Sequence, residues 1–155
     1  MSQELIAAYA AAPPQLRAAV QGMSPAQLRA RPVAGRWSTL EVLCHLSDAE
    51  ILYAHRIKLV LAEDEPPLQN LDPETWVRRL ACHDRDAEEE LRVVEAVRAQ
   101  MTRILRTLTA DDFQRRGLHS IAGPLTVTEL LTRVTNHLPH HLRFIEEKRA
   151  ALQSV

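Results

Sequence analysis

Residues 35–64 read GRWSTLEVLCHLSDAEILYAHRIKLVLAED, a stretch rich in leucine, alanine and other good helix formers. Ser38 and Glu41 match the S-x-x-E pattern of a capping box, in which each side chain binds the exposed backbone N–H of the other residue. The pattern predicts that a helix begins after Ser38, and the proline pair at 66–67 predicts that it ends near Glu63. A capped helix of this length is typical of one wall of a helical bundle.

Three other segments carry helical signals of comparable length. Residues 2–22 are helical in composition, although the proline pair at 13–14 predicts a break between a short first helix and a second one. Residues 84–108 place apolar side chains at spacings of three and four, which predicts a long amphipathic helix. The T-x-x-E pattern at 126–129 is a second capping box and predicts a last helix that runs to about Leu152. Because β-branched runs of strand length are absent from the sequence, we predict an all-α bundle.

Length and composition limit the class of protein. The 155 residues, 46% of them hydrophobic, suffice for one folded domain, which we expect to span residues 1–155. The net charge of −1, with acidic and basic residues interleaved, gives no electrostatic basis for binding nucleic acid. No apolar stretch approaches the roughly 20 residues that span a membrane, so no membrane partner is expected. Cys44 and Cys82 lie far apart in predicted helices, which predicts no disulfide and a reducing, cytoplasmic location.

The C-terminal stretch NHLPHHLRF, residues 136–144, contains three of the 7 histidines of the chain. His137 and His141 lie four residues apart, so on a helix they project from one face and could share a metal ion. His140 points elsewhere, about 100° around the helix from His141. The pair alone supports a metal site only weakly, because one histidine could be solvated and the other hydrogen-bonded in the core.

His45 strengthens the case for a metal. It lies two turns inside the helix capped by Ser38, among apolar neighbours, where an inward-facing imidazole needs a polar partner. Three inward imidazoles from two facing helices could meet that need through a shared metal, with coordination positions left open as in catalytic sites. Pro139 leaves two interpretations open: the last helix is kinked there, or it breaks and the histidine spacing loses its meaning. Apolar periodicity that continues across Pro139 favours the kink.

Three further side chains are candidates for the surroundings of the histidines. Asp48, three residues after His45, could accept a hydrogen bond that orients the imidazole. Arg56 could bind an anionic substrate, and a salt bridge within the bundle is an equally simple interpretation. Trp37 could line the mouth of a pocket. The simpler interpretation is a hydrophobic staple, in which Trp37 packs against the start of the helix. Arg85 falls on a face that we expect to be solvated.

Two segments resemble a known family. Residues 35–50, GRWSTLEVLCHLSDAE, are similar to the W-S-x-x-E-x-x-x-H-L-x-D-x-E segment of the DinB-like family, and residues 136–150, NHLPHHLRFIEEKRA, are similar to its H-x-x-x-H-x-x-x-I-x-x-x-R segment. With both segments in the right order and distance, the chain resembles the YfiT-type members of the DinB superfamily. The resemblance implies an antiparallel four-helix bundle in which His45, His137 and His141 hold a divalent metal. Zinc and nickel are the expected metals, with iron and manganese as further candidates.

The resemblance also implies an activity. Characterised relatives use low-molecular-weight thiols in transfer or isomerisation reactions, whereas many others have no known activity. We therefore expect a thiol-dependent S-transferase or related hydrolase that acts on a small-molecule electrophile, in a cytoplasmic homodimer. The alternatives are a metal-binding or stress-associated bundle without turnover, and a structural bundle without metal. His119 is expected at the surface or as a capping residue, and in the family a histidine like it lies in a loop that can approach the site.

Overall fold

The computed structural model of the protein describes residues 2–153 as a helical bundle that carries a small sheet. Within these residues the helices are α1 (Ser2–Ala11), α2 (Pro13–Val20), α3 (Pro25–Arg29), α4 (Thr39–Ala62), α5 (Pro73–Arg79), α6 (Ala87–Leu105) and α7 (Val127–Gln153). The strands are β1 (Pro67–Leu68), β2 (Arg116–His119) and β3 (Gly123–Thr126), and one 3-10 turn spans Asp112–Gln114. No helix in this part of the chain has both the length and the apolar character that a membrane span requires.

Four walls form the bundle. Helices α1 and α2 follow one another as the first wall, and α4, α6 and α7 form the other three. Helix α4 packs against α6 and α7, and the α1–α2 wall packs against the same two helices. The break in the first wall falls at Ala12, and Pro13 takes the first position of α2, where its missing N–H costs no helical hydrogen bond. The predicted four-helix architecture is therefore present.

Both predicted capping boxes are formed. The Ser38 N–H donates to Glu41 Oε2 at 2.7 Å, and the Glu41 N–H donates to Ser38 Oγ at 3.1 Å. The equivalent two bonds between Thr126 and Glu129 are 2.7 and 3.1 Å long. Helix α7 continues through Pro139 as one helix, so the interpretation in which it breaks there is wrong. The i, i+4 spacing of the histidines on either side of Pro139 is thus a helical spacing.

A buried polar network joins all four walls. The carboxylate of Glu50 on α4 accepts from the Arg98 guanidinium on α6 at 2.5 and 2.9 Å, and from the Tyr9 hydroxyl on α1 at 3.1 Å. Arg98 also donates to the backbone carbonyl oxygens of Tyr9 at 2.7 Å and of Val134 on α7 at 3.1 Å. The side chains of Arg98 and Glu50 are each only 1% exposed. Their burial is tolerated because the two charges are paired with each other and hydrogen-bonded.

The structure contains a three-stranded sheet that the sequence did not predict. Strand β2 pairs in parallel with β1 and antiparallel with β3. Strands of two to four residues that contain glycine and proline give no recognisable alternation of apolar and polar positions. His119 closes the β2–β3 turn, because its Nδ1 accepts from the backbone N–H groups of Ile121 at 3.2 Å and Ala122 at 3.1 Å. His119 is thus the expected capping residue, but at 9% exposure it is buried rather than at the surface.

A methyl group at Gly117 in β2 is expected to destabilise the protein. A Cβ atom there would lie 2.8 Å from Val60 Cγ2 and 2.9 Å from Leu68 Cγ and Cδ1. Both neighbours are buried, so they cannot move aside without disturbing the core. We expect Gly117→Ala to lower the free energy of unfolding by about 1–3 kcal/mol, measured by urea denaturation. Leu118→Ala, at the exposed neighbouring position, is the control, and an equal loss in both variants would contradict the prediction.

Candidate metal centre

Three histidines converge between α4 and α7. His45 lies on α4, and His137 and His141 lie one turn apart on α7. The Nε2 atoms of His45 and His137 are 3.0 Å apart, and one nitrogen from each of the three rings lies within 4.8 Å of the others. Each side chain is partly buried. The fold therefore brings together the three side chains that the sequence predicts as ligands.

The spacing of His45 and His137 suits two ligands of one metal ion. Two imidazole nitrogens bound to a single ion at about 2.1 Å each, with an angle of roughly 90–110° between them, lie about 3.0–3.4 Å apart. The 3.0 Å separation of His45 and His137 falls within that interval. The buried Nδ1 atoms of His137 and His141 have no hydrogen-bond partner within residues 2–153. Apart from the contact between His45 and His137, the described chain supplies no hydrogen bond to these three rings, and a bound metal would satisfy one nitrogen of each.

Burial keeps the three imidazoles neutral. Burial, followed by the neighbouring His45 and His140, lowers the pKa of His137 to about 4. Burial, followed by His137 and His45, lowers the pKa of His141 to about 3. Burial also lowers the pKa of His45, although the charge of Asp48 opposes it. Near neutral pH each ring therefore keeps the nitrogen lone pair that metal ligation requires.

The metal-free protein is expected to lose stability as the pH falls from about 6.5 towards 4. In the unfolded chain His137 and His141 take up protons near pH 6.5, whereas in the folded protein they stay neutral until pH values of about 4 and 3. The unfolded state binds more protons in this window, so the stabilising contribution is present above it and is lost on acidification. Each histidine contributes up to about 1.4 kcal/mol per pH unit. Urea unfolding across this range should show a flatter pH profile for His137→Gln/His141→Gln, and identical profiles would disprove the assignment.

Asp48 has a different partner from the one predicted. Its carboxylate oxygens accept from the Arg85 guanidinium at 3.0 and 3.1 Å, and no hydrogen bond joins Asp48 to His45. Arg85 also pairs with Glu90 at 2.5 Å, so it bridges residues of α4 and α6 and does not lie on a solvated face. The physical reason is that a guanidinium offers a carboxylate two parallel charged bonds, whereas a neutral imidazole offers one. Asp48 nevertheless lines a cavity beside His45.

Trp37 combines the two roles considered for it. Its indole packs against the buried cluster that includes Leu40 and Cys44 at the start of α4. Its ring centroid also lies 5.1 Å from that of His45, and its Nε1 donates to Glu74 Oε2 at 3.2 Å. Trp37 also lines a cavity that His141 lines, so it forms part of the wall beside the histidines.

Two cavities reach the histidines. The larger, of about 760 Å³, is lined by His141 and Trp37 together with charged side chains that include Lys148. The smaller, of about 330 Å³, is lined by His45 and His137. The histidine cluster therefore lies between the two cavities, and each cavity contacts a different part of it.

Arg56 lies on the wall of the smaller cavity without a carboxylate partner. It donates to the backbone carbonyl of Gln69, and its guanidinium carbon lies 5.4 Å from the centre of the Tyr53 ring. Burial lowers the pKa of Arg56, and the nearby charge of Arg133 lowers it further. Within residues 2–153 no salt bridge involves Arg56, so the alternative of an ion pair inside the bundle is not borne out.

Two further side chains line the smaller cavity: Arg133, which is not among the candidates that the sequence provides, and His119, for which the family resemblance implies a loop that can approach the site. Arg133 lies four residues before His137 on α7, so the spacing that pairs His137 with His141 also places Arg133 on that face. That spacing was a usable signal for Arg133. His119 reaches the cavity only because the β2–β3 hairpin folds against the bundle, and no sequence pattern predicts the hairpin.

A four-helix bundle with three inward histidines on two of its helices defines a class of candidate metal-dependent helical-bundle proteins. Residues 8–145 match the family model of the DinB superfamily, and the chain belongs to that superfamily. YfiT of Bacillus subtilis, named as a candidate metal-dependent hydrolase, is 29% identical over 136 residues, which cover 87% of this chain and 76% of YfiT. A protein of Geobacillus thermodenitrificans named in the same way is 32% identical over 113 residues, which cover 73% of this chain and 64% of that protein.

A solved structure shares the fold. The structure of YfiT from Bacillus subtilis matches with a TM-score of 0.91 and 26% sequence identity, over 98% of this chain and 87% of that one. It is described as a probable metal-dependent hydrolase with an unusual four-helix bundle topology. The likeness confirms the predicted fold class and the predicted relationship to the YfiT-type proteins.

Proposed function

We propose that the protein is a metal-dependent enzyme that transfers a low-molecular-weight thiol to a small-molecule electrophile. The observation that carries the proposal is the position of the histidine cluster between two cavities, of about 760 and 330 Å³. A transfer between two organic molecules needs space for both of them beside the reactive centre, in an orientation that lets them react. The larger cavity would take the thiol and the smaller one the electrophile.

The three histidines would hold the metal. Neutral imidazoles of His45, His137 and His141 suit zinc or nickel first, with iron and manganese as further candidates. When bound by three imidazoles, such a metal has open coordination positions and lowers the pKa of a thiol or water placed there, which supplies a nucleophile near neutral pH. The continuous helix α7 holds two of the rings one turn apart, and Trp37 limits the space beside His45.

The lining of the larger cavity suits a charged thiol. Lys148 is 2% exposed by residue, lines this cavity and donates to the backbone carbonyl of Phe144 at 3.1 Å. Arg36 adds a second positive charge and Glu74 adds a negative one. A thiol built from an amino acid carries carboxylate and ammonium groups, and both find an opposite charge on these walls.

The thiol in this reaction would come from outside the chain. Cys44 is 0% exposed and Cys82 is 1% exposed, and the Cys44 thiol donates to the backbone carbonyl of Cys82 at 3.6 Å. Burial raises the pKa of both thiols, which keeps them protonated and unreactive near neutral pH. The two cysteines of the chain are therefore structural in this proposal, and the nucleophile is a diffusible thiol.

Hydrolysis is the second candidate function. The names of the relatives favour it, since both YfiT and the Geobacillus protein are named as candidate metal-dependent hydrolases. Here a water molecule would take the place of the thiol and attack a carbonyl carbon of the substrate. The two functions differ in the nucleophile, which is a thiol bound in the larger cavity for transfer and a water molecule for hydrolysis.

Conjugation of a thiol to an electrophile tests the proposal. Protein loaded with zinc or nickel is incubated with monochlorobimane and, in turn, cysteine, glutathione and bacillithiol, and the fluorescent conjugate is followed over time. We expect at least one thiol to react about tenfold or more faster than without protein, and His45→Ala to remove that gain. Cys44→Ala/Cys82→Ala should retain it, because the nucleophile is not part of the chain.

The other outcomes discriminate between the alternatives. Cleavage of ester or amide substrates without consumption of thiol would replace the transferase by the hydrolase. Stoichiometric metal binding with neither reaction in the panel would favour a metal-binding bundle without turnover. A Cys44→Ala/Cys82→Ala variant that folds but loses conjugation would contradict the assignment of a diffusible thiol.

A further inference from the structure

Two arginines on the wall of the smaller cavity lack counter-ions. Arg56 is 6% exposed, and its buried Nε has no hydrogen-bond partner. Arg133 lines the same cavity, and within residues 2–153 no salt bridge or hydrogen bond involves its side chain. A buried guanidinium with an unused donor is costly unless a ligand accepts from it. Arg56 therefore brings a buried charge with an unused donor to the cavity, and the exposed Arg133 adds a second positive charge there.

The nearest carboxylates are bound elsewhere. Asp48 lines the cavity, but both of its oxygens accept from Arg85 at 3.0 and 3.1 Å. Glu129 lies one turn before Arg133 on α7, but its carboxylate caps that helix by accepting from the backbone N–H and hydroxyl of Thr126 at 2.7 and 2.9 Å. Neither carboxylate forms a hydrogen bond or salt bridge with Arg56 or Arg133, although the hydrogen bonds from Thr126 and, after them, the charge of Arg133 lower the pKa of Glu129, so both guanidinium groups keep donors for a ligand.

His119 adds a neutral donor to the two charged ones. Its Nδ1 accepts from two backbone N–H groups of the β2–β3 turn, so the neutral ring carries its proton on Nε2. Burial, followed by the charges of Arg56 and Arg133, lowers the pKa of His119, which keeps the ring neutral beside them. Two guanidinium groups and one imidazole N–H form a donor set that suits the oxygens of a carboxylate.

We propose that the smaller cavity is a carboxylate-binding subsite, in which Arg56 and Arg133 pair with a carboxylate of the electrophile and His119 donates to it. The identity of the ligand as the electrophile rests on the proposed function, because His45 and His137 line the same cavity and would face its reacting end. The subsite itself rests on the two arginines, neither of which forms a salt bridge within residues 2–153, and on the cavity that both of them line.

The remaining walls of the subsite favour an organic acid over a free inorganic anion. Apolar side chains supply much of them, namely those of Ala49, Leu52, Leu71, Trp76 and Val77, whereas Asp48, Tyr53 and Asn70 add polar groups. A volume of about 330 Å³ lies at the small end of the range for ligand pockets. The ligand class is therefore a small carboxylic acid with an apolar or aromatic body.

Binding of phenylacetate to metal-free protein tests the subsite without any turnover. The protein is stripped with a chelator, dialysed and titrated by calorimetry with phenylacetate, with the neutral phenylacetamide and with phenyl phosphate. We expect phenylacetate to bind at least about tenfold more tightly than phenylacetamide, and Arg133→Gln and Arg56→Lys each to weaken it by at least about tenfold. Arg103→Gln, an exposed position on α6 outside both cavities, is the matched control and should bind like the parent.

The Arg133→Gln variant decides the test even if substitution of the buried Arg56 unfolds the protein. Arg133 is exposed, so its replacement should not disturb the fold. Equal affinity for phenylacetate and phenylacetamide, absence of phenylacetate binding, or unchanged binding in Arg133→Gln would overturn the proposal. Tighter binding of phenyl phosphate would assign the subsite to a phosphate ester instead, and inorganic phosphate in competition would show whether the organic body contributes. Zinc stoichiometry measured on the same Arg133→Gln protein separates the two proposals, since a failed subsite with full zinc binding leaves the metal-dependent function intact.

Discussion

The His137→Ala/His141→Ala variant is expected to bind no divalent metal, whereas the parent protein binds about one equivalent of zinc or nickel. Two of the three converging rings belong to these residues, and both lie on the continuous helix α7. With both removed, His45 is left as a single imidazole, which cannot form the multidentate set that holds a metal in a protein. The expected change is therefore from stoichiometric occupancy to background.

Mass spectrometry of tag-free protein measures this change after incubation with metal and gel filtration. His140→Ala is the matched control, because His140 lies in the same HLPHH sequence but is exposed and outside the three-histidine cluster. The control should keep the parent stoichiometry. Equal metal content in the double variant and the parent would place the metal elsewhere, and a parent that takes up none of zinc, nickel, iron or manganese would remove the basis of the proposed enzyme.

The same metal should raise the stability of the parent and leave the double variant unchanged. A ligand that binds only the folded state at 100 times its Kd adds about 2.7 kcal/mol to the free energy of unfolding. Thermal unfolding with and without zinc measures this as a shift in Tm. A shift of equal size in the double variant would point to zinc bound at other groups.

The fold was predictable because its signals are local. The capping boxes Ser38–Glu41 and Thr126–Glu129 each require four consecutive residues, and both bound the helices that carry the histidines. The sheet was not predictable, because β1 and β2 are short and lie about 50 residues apart in sequence, and their pairing depends on the bundle that supports them. For the same reason, local patterns do not place His119 in the cavity, and only the family resemblance indicates that its loop can approach the site.

The histidine cluster was predictable to the extent that helical spacing decides it. An i, i+4 pair needs only a continuous helix, and α7 stays continuous through Pro139. The need of an inward imidazole for a polar partner suggests that His45 joins that pair, and the family resemblance supports it, because spacing alone does not say which helices face each other. The partner of Asp48 is Arg85, which lies 37 residues away in sequence, so no local pattern could predict the pair. Long-range polar pairing is thus where reasoning from the sequence stops.

Loss of the buried Arg98 guanidinium is expected to be among the most damaging single changes to the fold. Arg98→Met would leave the Glu50 carboxylate 1% exposed without its countercharge, and would remove the bonds to the carbonyls of Tyr9 and Val134. Removing one partner of a buried ion pair costs about 3–5 kcal/mol, because the remaining charge stays desolvated. We expect a decrease of that size in the free energy of unfolding, measured by urea denaturation at neutral pH.

Two variants show whether the cost arises from the stranded charge. Arg103→Met on the same helix is exposed and should change stability by no more than about 0.5 kcal/mol. Glu50→Gln/Arg98→Met removes the stranded carboxylate and should recover part of the loss, since a neutral amide can still accept from the Tyr9 hydroxyl. If Arg98→Met cost no more than Arg103→Met, the network would not hold the walls together. If the double variant were as unstable as the sum of its single changes, the cost would come from lost packing rather than from an unpaired charge.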